Sequence, residues 1–189
     1  MKTRQTNLSV AATLDEVLLA RDERAGRHAR LVDRPDGETL LALTVIVPGA
    51  VKRNLRSLTV DHAAMSAVLS VFNSDILSVD EFDFITGFEA DFIIARPAED
   101  VKRIAVAIEE THPLGRLFDL DVIMRGGRPM SRDIIGAEAR RCLCCDRPAR
   151  YCMRARTHSS EEISDMVDSI VDKYIAAEQN KAGFSLPLI

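Results

Sequence analysis

At 189 residues, with 47% apolar and 29% charged side chains, the chain can form one domain with a real core and has the composition of an ordinary globular protein. Its net charge of −4 excludes a chain that coats nucleic acid over its whole surface. The longest apolar stretch, LLALTVIV (40–47), is far too short to span a bilayer, and MKTRQTNLSV lacks the apolar core of a signal peptide.

A cytoplasmic location is therefore expected, with neither membrane nor nucleic acid as a partner. The four cysteines are then expected to be reduced, metal-bound or reactive rather than joined in disulfides.

In chain order, Thr13 and Glu16 form a capping-box signature, and Leu14, Val17 and Leu18 follow at helical spacing, which predicts a helix over about 14–30. ETLLALTVIV predicts a buried strand ended by Pro48 and Gly49. Over 54–73 the helical period returns, with Leu55, Leu58, His62, Met65, Leu69 and Phe72 on one stripe. On that stripe His62 is expected to be a packed, hydrogen-bonded core histidine. VDEFDFITGFEADFIIARP predicts two strands in a hairpin around Gly87. Pro97 then opens a helix carrying Val101, Ile104, Ala105 and Ile108 to about Glu110.

HPLGRLFDLDVI (112–123) predicts a strand, with Phe118, Leu120 and Val122 on one face and Asp119 and Asp121 on the other. RGGRP turns the chain, and 130–157 holds no period for long. Ser159 and Glu162 form a second capping box. The stripe Ile163, Met166, Val167, Ile170, Val171, Tyr174 and Ile175 predicts a C-terminal amphipathic helix over about 159–179. The tail NKAGFSLPLI is expected to be loose or packed locally. The whole is expected to be one α/β (α+β) domain over 1–189: a mixed sheet with flanking helices, plus an irregular Cys/Arg-rich segment at about 125–158.

Three acid-x-acid pairs occur: Glu81/Asp83, Glu89/Asp91 and Asp119/Asp121. Each fits the wet face of an amphipathic strand, so spacing alone selects none of them. The third differs in its surroundings, because it leaves a tight loop with His112, Gly115 and Arg116 just ahead of it. Two carboxylates on alternate residues can share a hard cation such as Mg²⁺, as phosphoryl and nucleotidyl transfer require. Asp119 and Asp121 are thus candidate magnesium ligands, and Arg116 and His112 join them as candidate catalytic residues. No GxxxxGK[ST] loop occurs, so phosphates would need single cations; Arg21, Arg24 and Lys52 are candidates, with a plain surface charge as the alternative for each.

Residues 125–158 carry nine arginines, no lysine and three acids, a local charge of +6 that leaves −10 elsewhere. Within them Cys142 and Cys145 stand in C-x2-C spacing, with Cys152 and His158 following. That set fits a structural Cys3His zinc site; Cys144 also offers itself, and a reduced packing knot or a reactive thiol stays open.

HPLGRLFDLDVI, MSRDIIG and RRCLCCDRPARYCMRARTH, with RDER (21–24) and VPGAVK (47–52) upstream, together resemble the family of citrate lyase holo-acyl-carrier-protein synthase, the apo-citrate lyase phosphoribosyl-dephospho-CoA transferases. The likeness covers roughly 14–175. Cys144 departs from the pattern, which favours Cys142 and Cys145 as the ligand pair. The resemblance implies a nucleotidyltransferase that moves a phosphoribosyl-dephospho-CoA group from 2′-(5″-triphosphoribosyl)-3′-dephospho-CoA to a serine of the citrate lyase acyl carrier protein (the γ subunit), releasing diphosphate. It gives Asp119 and Asp121 the magnesium, gives Arg116, Arg21, Arg24 and Lys52 the phosphates, and makes the basic segment a candidate for receiving an acidic carrier.

The paired-aspartate strand also suggests a sheet of the polymerase-beta nucleotidyltransferase kind, although the Gly-Ser motif usual well upstream is missing. Two alternatives stand beside this reading: a nucleotidyltransferase with another acceptor, and a non-enzymatic zinc-knuckle binding module.

Overall fold

The structure, a computed structural model, describes residues 8–181. Of the tail at 180–189, Asn180 and Lys181 are helical rather than loose, and the rest lies outside the described residues. Among those described, no helix is long and apolar enough to cross a membrane.

Helix α1 (Leu14–Leu31) starts with the expected box: the Glu16 N–H donates to Thr13 Oγ1 at 3.3 Å, and the Thr13 N–H donates to Glu16 Oε2 at 2.8 Å. Strand β1 (Thr39–Val45) is followed by α2 (Leu55–Phe72), then by the hairpin of β2 (Ile76–Phe84) and β3 (Gly87–Ile94). Gly87 sits at φ 129°, a conformation that side chains rarely adopt, and this is why a glycine closes that turn. Helix α3 (Ala98–Thr111) begins just after Pro97, as expected. A single 3₁₀ turn (Gly115–Leu117) leads into β4 (Phe118–Ile123).

The α/β class expected from the sequence is the class that forms. The sheet order is β2-β3-β1-β4. All three neighbouring pairs are antiparallel, so the expectation of a mixed sheet is corrected. The α3 crossover brings β4 back in the same sense as β3 on the other side of β1, so both neighbours of β1 run opposite to it. Strand β1 lies inside the sheet and is buried from Thr39 to Leu43, which is why its sequence is a continuous apolar run.

One face of the sheet presents Leu41, Leu43, Phe92, Ile94, Leu120 and Val122 to α2, α3 and the C-terminal helix α5 (Ser160–Lys181), forming the main core. The expected stripe of α5 is largely the one used, with Val167 and Val171 buried. On the opposite face Leu40, Ala42, Ile93 and Ile123 form a small second cluster with Leu31 and Val32 at the end of α1.

Two local readings change. Helix α2 buries Ser57, Val60, Asp61, Ala64, Met65, Val68 and Phe72, while Leu55 is 75% exposed and His62 is exposed. His62 is therefore not a core histidine: the buried face is rotated so that Asp61 points inward to the buried Arg53. The segment 130–157 is also not wholly irregular, since it contains the short helix α4 (Ala149–Ala155).

Gly115 is fixed by space alone. A Cβ there would stand 2.5 Å from the Glu109 carbonyl oxygen and 2.6 Å from that of Ile108. No side chain fits without moving α3 away from the turn that delivers β4.

Candidate active site

Because opposed residues of antiparallel strands share a face, the register lines up two rows across the second face of the sheet. Glu89, Thr44 and Asp119 form one row; Asp91, Ala42 and Asp121 form the next. Two of the three acid pairs therefore lie on one surface, on either side of β1. Glu81 and Asp83 pair with Ala90 and Phe88, so they belong to the other face.

The two shared-face pairs live in different electrostatic settings. Glu89 and Asp91 are buried beneath α1. Glu89 accepts from Arg24 at 2.8 Å and from Arg27; Asp91 meets Arg27 Nε at 3.3 Å and His28 Nε2 at 2.9 Å. Arg27 also stacks over the Phe82 ring at 4.0 Å. These ion pairs hold α1 on the sheet, where its only buried residue is His28.

Asp119 and Asp121 stay accessible, with side chains 46% and 40% exposed. Asp119 takes a hydrogen bond from Arg140 Nη1 at 3.0 Å, and Lys102 Nζ stands 3.8 Å from Asp121. Burial, and then the neighbouring Asp119, hold the Asp121 carboxyl above its ordinary value. A pair of adjacent carboxylates that stays open to solvent offers oxygen ligands to a hard cation.

The expected phosphate cations converge. Arg21, Arg24 and Lys52 line one cleft of about 190 Å³ with Thr44 and Gly87. Thr44 is the residue between Glu89 and Asp119, so this cleft opens beside the Asp119 row. Burial lowers the pKa of Lys52, whose Nζ donates to the Val47 carbonyl at 2.6 Å.

The loop carrying Lys52 is pinned by the next residue. Arg53, 2% exposed, pairs with Asp61 and lies 2.7 Å from Asp83. Burial pushes Asp61 up to about 6 from 3.8, more than the Arg53 pairing pulls it down. The folded chain thus holds a proton here that the unfolded chain releases, so this site's contribution to stability falls as pH rises from about 4 to about 6. The unfolding free energy of wild type minus that of Asp61→Asn, from urea titrations, is expected to decline across that window and to be flat above it.

Arg116 and His112 do not join the pair. The Arg116 guanidinium donates to the Cys142 carbonyl and lines a different recess, with Glu109, Glu110 and Arg132. His112 Nδ1 accepts the Leu114 N–H at 3.0 Å, and its ring packs 4.9 Å from Phe118 and 5.9 Å from Tyr174. Phe118 faces the core and Asp119 the opposite side, so His112 lies behind the sheet from the carboxylates. Burial keeps its pKa low and the ring neutral near pH 7. We expect His112→Phe to retain most of the transferase rate while lowering Tm, measured by calorimetry beside a rate assay; a rate loss as large as that of the aspartate variants would return His112 to the reaction.

Three residues missed by sequence reasoning take part. Arg140 binds Asp119 and donates to the Arg116 and Phe118 carbonyls. Lys102 reaches the Leu120 carbonyl at 3.3 Å beside Asp121. Buried Glu109 accepts the Leu120 N–H at 2.9 Å, satisfying an edge-strand donor, and pairs with Arg132 at 2.5 Å. Lys102 is followed by Arg103 and Glu109 by Glu110, so no local pattern in the sequence sets either apart.

The cysteine cluster assembles. Ligand atoms of Cys142, Cys145, Cys152 and His158 all lie within 4.8 Å of one another. Cys145 Sγ is 3.5 Å from Cys152 Sγ and 3.4 Å from His158 Nε2. Tetrahedral ligands at about 2.3 Å from an ion stand about 3.8 Å apart, so the cluster can coordinate a metal. Cys144 stays outside it, 3.9 Å from the Glu162 carbonyl. Hydrogen bonding to the Arg147 backbone and then to His158 draws the Cys145 thiol down to about 6; burial pushes Cys152 up to about 11.

The family model for apo-citrate lyase phosphoribosyl-dephospho-CoA transferase matches residues 12–174, a span that holds the carboxylate rows, the cationic cleft and the cysteine cluster. The chain belongs to that family. It is a nucleotidyltransferase that moves the phosphoribosyl-dephospho-CoA group. Among similar proteins, a probable apo-citrate lyase phosphoribosyl-dephospho-CoA transferase of Streptococcus pyogenes serotype M18 is 33% identical over 87% of this chain and 88% of its own length. The apo-citrate lyase phosphoribosyl-dephospho-CoA transferases of Shigella flexneri serotype 5b and Escherichia coli O1:K1 are each 30% identical, over 90% of this chain and 94% of theirs. Membership makes the chain an enzyme and sets aside the binding-module alternative.

Proposed function

We propose that the enzyme takes the group from 2′-(5″-triphosphoribosyl)-3′-dephospho-CoA and attaches it to a serine of the citrate lyase acyl carrier protein. The observation that carries this reading is the Asp119 row, which runs from the open Asp119 carboxylate to Thr44, a wall of the cleft of Arg21, Arg24 and Lys52. The serine oxygen attacks the phosphorus next to the ribose. That phosphorus–oxygen bond to the departing diphosphate breaks, the hydroxyl proton leaves to solvent or base, and a phosphodiester remains.

Arg21, Arg24 and Lys52 neutralise the triphosphate oxygens and orient the donor. To meet a phosphate, Arg24 shares its guanidinium between Glu89 and the donor. Asp119 and Asp121 would hold Mg²⁺, which when bound neutralises charge on the attacking and leaving oxygens. Arg140 and Lys102 keep the pair in place. The Cys142, Cys145, Cys152 and His158 cluster would hold a structural Zn²⁺, since closed thiolate-imidazole sets suit that ion. Four free thiols suit a reducing compartment, and we place the enzyme in the cytoplasm.

The test incubates enzyme, Mg²⁺, donor and apo-carrier, then weighs the carrier by mass spectrometry. One added phosphoribosyl-dephospho-CoA group with equimolar diphosphate is expected. An unmodified carrier beside intact donor overturns the reading; diphosphate release without carrier modification points to another acceptor.

A further inference from the structure

The short helix α4 is held in an unusual way. Of its residues Ala149–Ala155 only Cys152 is buried, and that side chain belongs to the Cys/His cluster. The rest of the helix is turned outward, with Tyr151 54% and Met153 77% exposed. Around it the charge is one-sided. Residues 139–158 hold six arginines against a single acid, Asp146. Arg140 and Arg141 are paired with Asp119 and Glu138. Arg147 lies 5.4 Å from the Tyr151 ring. Arg150, Arg154 and Arg156 have no ion-pair partner among the described residues and all three are exposed.

The position of this helix bears on the reaction. Met153 and Arg150 line a cleft of about 540 Å³ whose other walls include Asp119, Arg140 and His158. One flank of α4 therefore looks into the space where the open carboxylate stands, and its outer flank looks away from the protein.

We propose that the outer face of α4 is where an acidic surface of the acceptor protein docks, so that the acceptor hydroxyl enters the Asp119 cleft past Met153. This rests on the acceptor reading above. Exposed, unpaired arginines repel one another, and an acidic partner relieves that repulsion and steers the encounter. A methionine and a tyrosine left out among them point to a protein rather than free phosphate, because Tyr, Met and Arg are the side chains enriched at protein interfaces. The Cys/His cluster is then the anchor of a docking element that has almost no apolar packing of its own.

The experiment uses the full-length, metal-replete enzyme with donor and apo-carrier in steady state. In Arg154→Glu/Arg156→Glu the KM for the carrier is expected to rise at least 10-fold, with kcat and the donor KM within twofold of wild type. The Arg154→Lys/Arg156→Lys variant is expected to recover most of the carrier KM. Salt is expected to raise the wild-type carrier KM and to act much less on the charge-reversed variant. A carrier KM unmoved by charge reversal, in a wild-type background that modifies the carrier, overturns the docking face alone. A rise in the donor KM instead assigns the arginines to donor phosphates and also overturns it. A wild-type enzyme that leaves the carrier unmodified removes the acceptor reading and the docking face with it.

Discussion

Asp119→Asn and Asp121→Asn are each expected to slow group transfer by at least about 100-fold, roughly 3 kcal/mol of transition-state stabilisation. The expectation rests on position: both carboxylates stand open on the same sheet face as the cationic cleft, and both would be oxygen ligands to a hard ion. The two variants should part company in stability. Asp121 is held above its ordinary pKa by burial and by Asp119, so its ionised form works against folding at neutral pH. Asp121→Asn removes that charge, and its Tm is expected to equal or exceed that of wild type. Asp119 has the closer counter-charge, Arg140 at 3.0 Å against Lys102 at 3.8 Å from Asp121, and Asp119→Asn is expected to lower Tm slightly. Calorimetry beside a single-turnover assay separates the cases.

The sign of the pH effect follows from the same burial. As the proposed Mg²⁺ ligand Asp121 would act ionised, so in low Mg²⁺ the rate is expected to fall, as pH drops, at a value above the usual carboxylate range; saturating Mg²⁺ should move that limb back toward acid. A fully active, well-folded Asp121→Asn protein would remove the carboxylate pair from the mechanism.

What the sequence made legible was local. Thr13 with Glu16, Ser159 with Glu162, and Gly87 in its hairpin are short-range arrangements whose geometry depends on a few neighbours, and all three form as expected. The alternation FDLDVI likewise fixed which way Asp119 and Asp121 point relative to Phe118 and Leu120. That two acid pairs share a face depends on strand order, and β3 and β4 meet only through β1. No spacing along the chain encodes that.

The errors have the same origin. His62 was placed inside because apolar residues defined the stripe, yet the buried face of α2 includes Asp61, paired with an arginine from the loop before the helix. His112 looked like part of the site because it is near the aspartates in sequence; one pleat of a strand separates the two sides of a sheet. Arg140 was invisible for the opposite reason, lying twenty-one residues from the aspartate it binds. The cysteines were legible as a set, the family pattern already favoured Cys142 and Cys145 over Cys144, and the folded cluster holds that pair.

Cys142→Ser or Cys145→Ser, or prolonged chelation of the purified protein, is expected to loosen residues 139–158 while leaving the four-stranded sheet folded. The reason is the poverty of other contacts. The buried hydrophobic side chains of this segment are the cysteines Cys142 and Cys152, so a bound metal would take the place of a core there. Hydrogen exchange should therefore rise in α4 and its flanks and stay slow in β1 and β3. The consequence for transfer runs through Arg140, which sits two residues before Cys142 and touches Asp119 and the two carbonyls that open β4. Losing charge-assisted hydrogen bonds worth roughly 1.5–3 kcal/mol is about a 10- to 100-fold effect if they hold the aspartate for reaction. Readdition of Zn²⁺ should restore both exchange protection and rate to the chelated wild type, but not to the cysteine variants. Less than about a tenth of an equivalent of metal in protein purified without chelators, with full activity, would make the cluster a reduced packing knot instead.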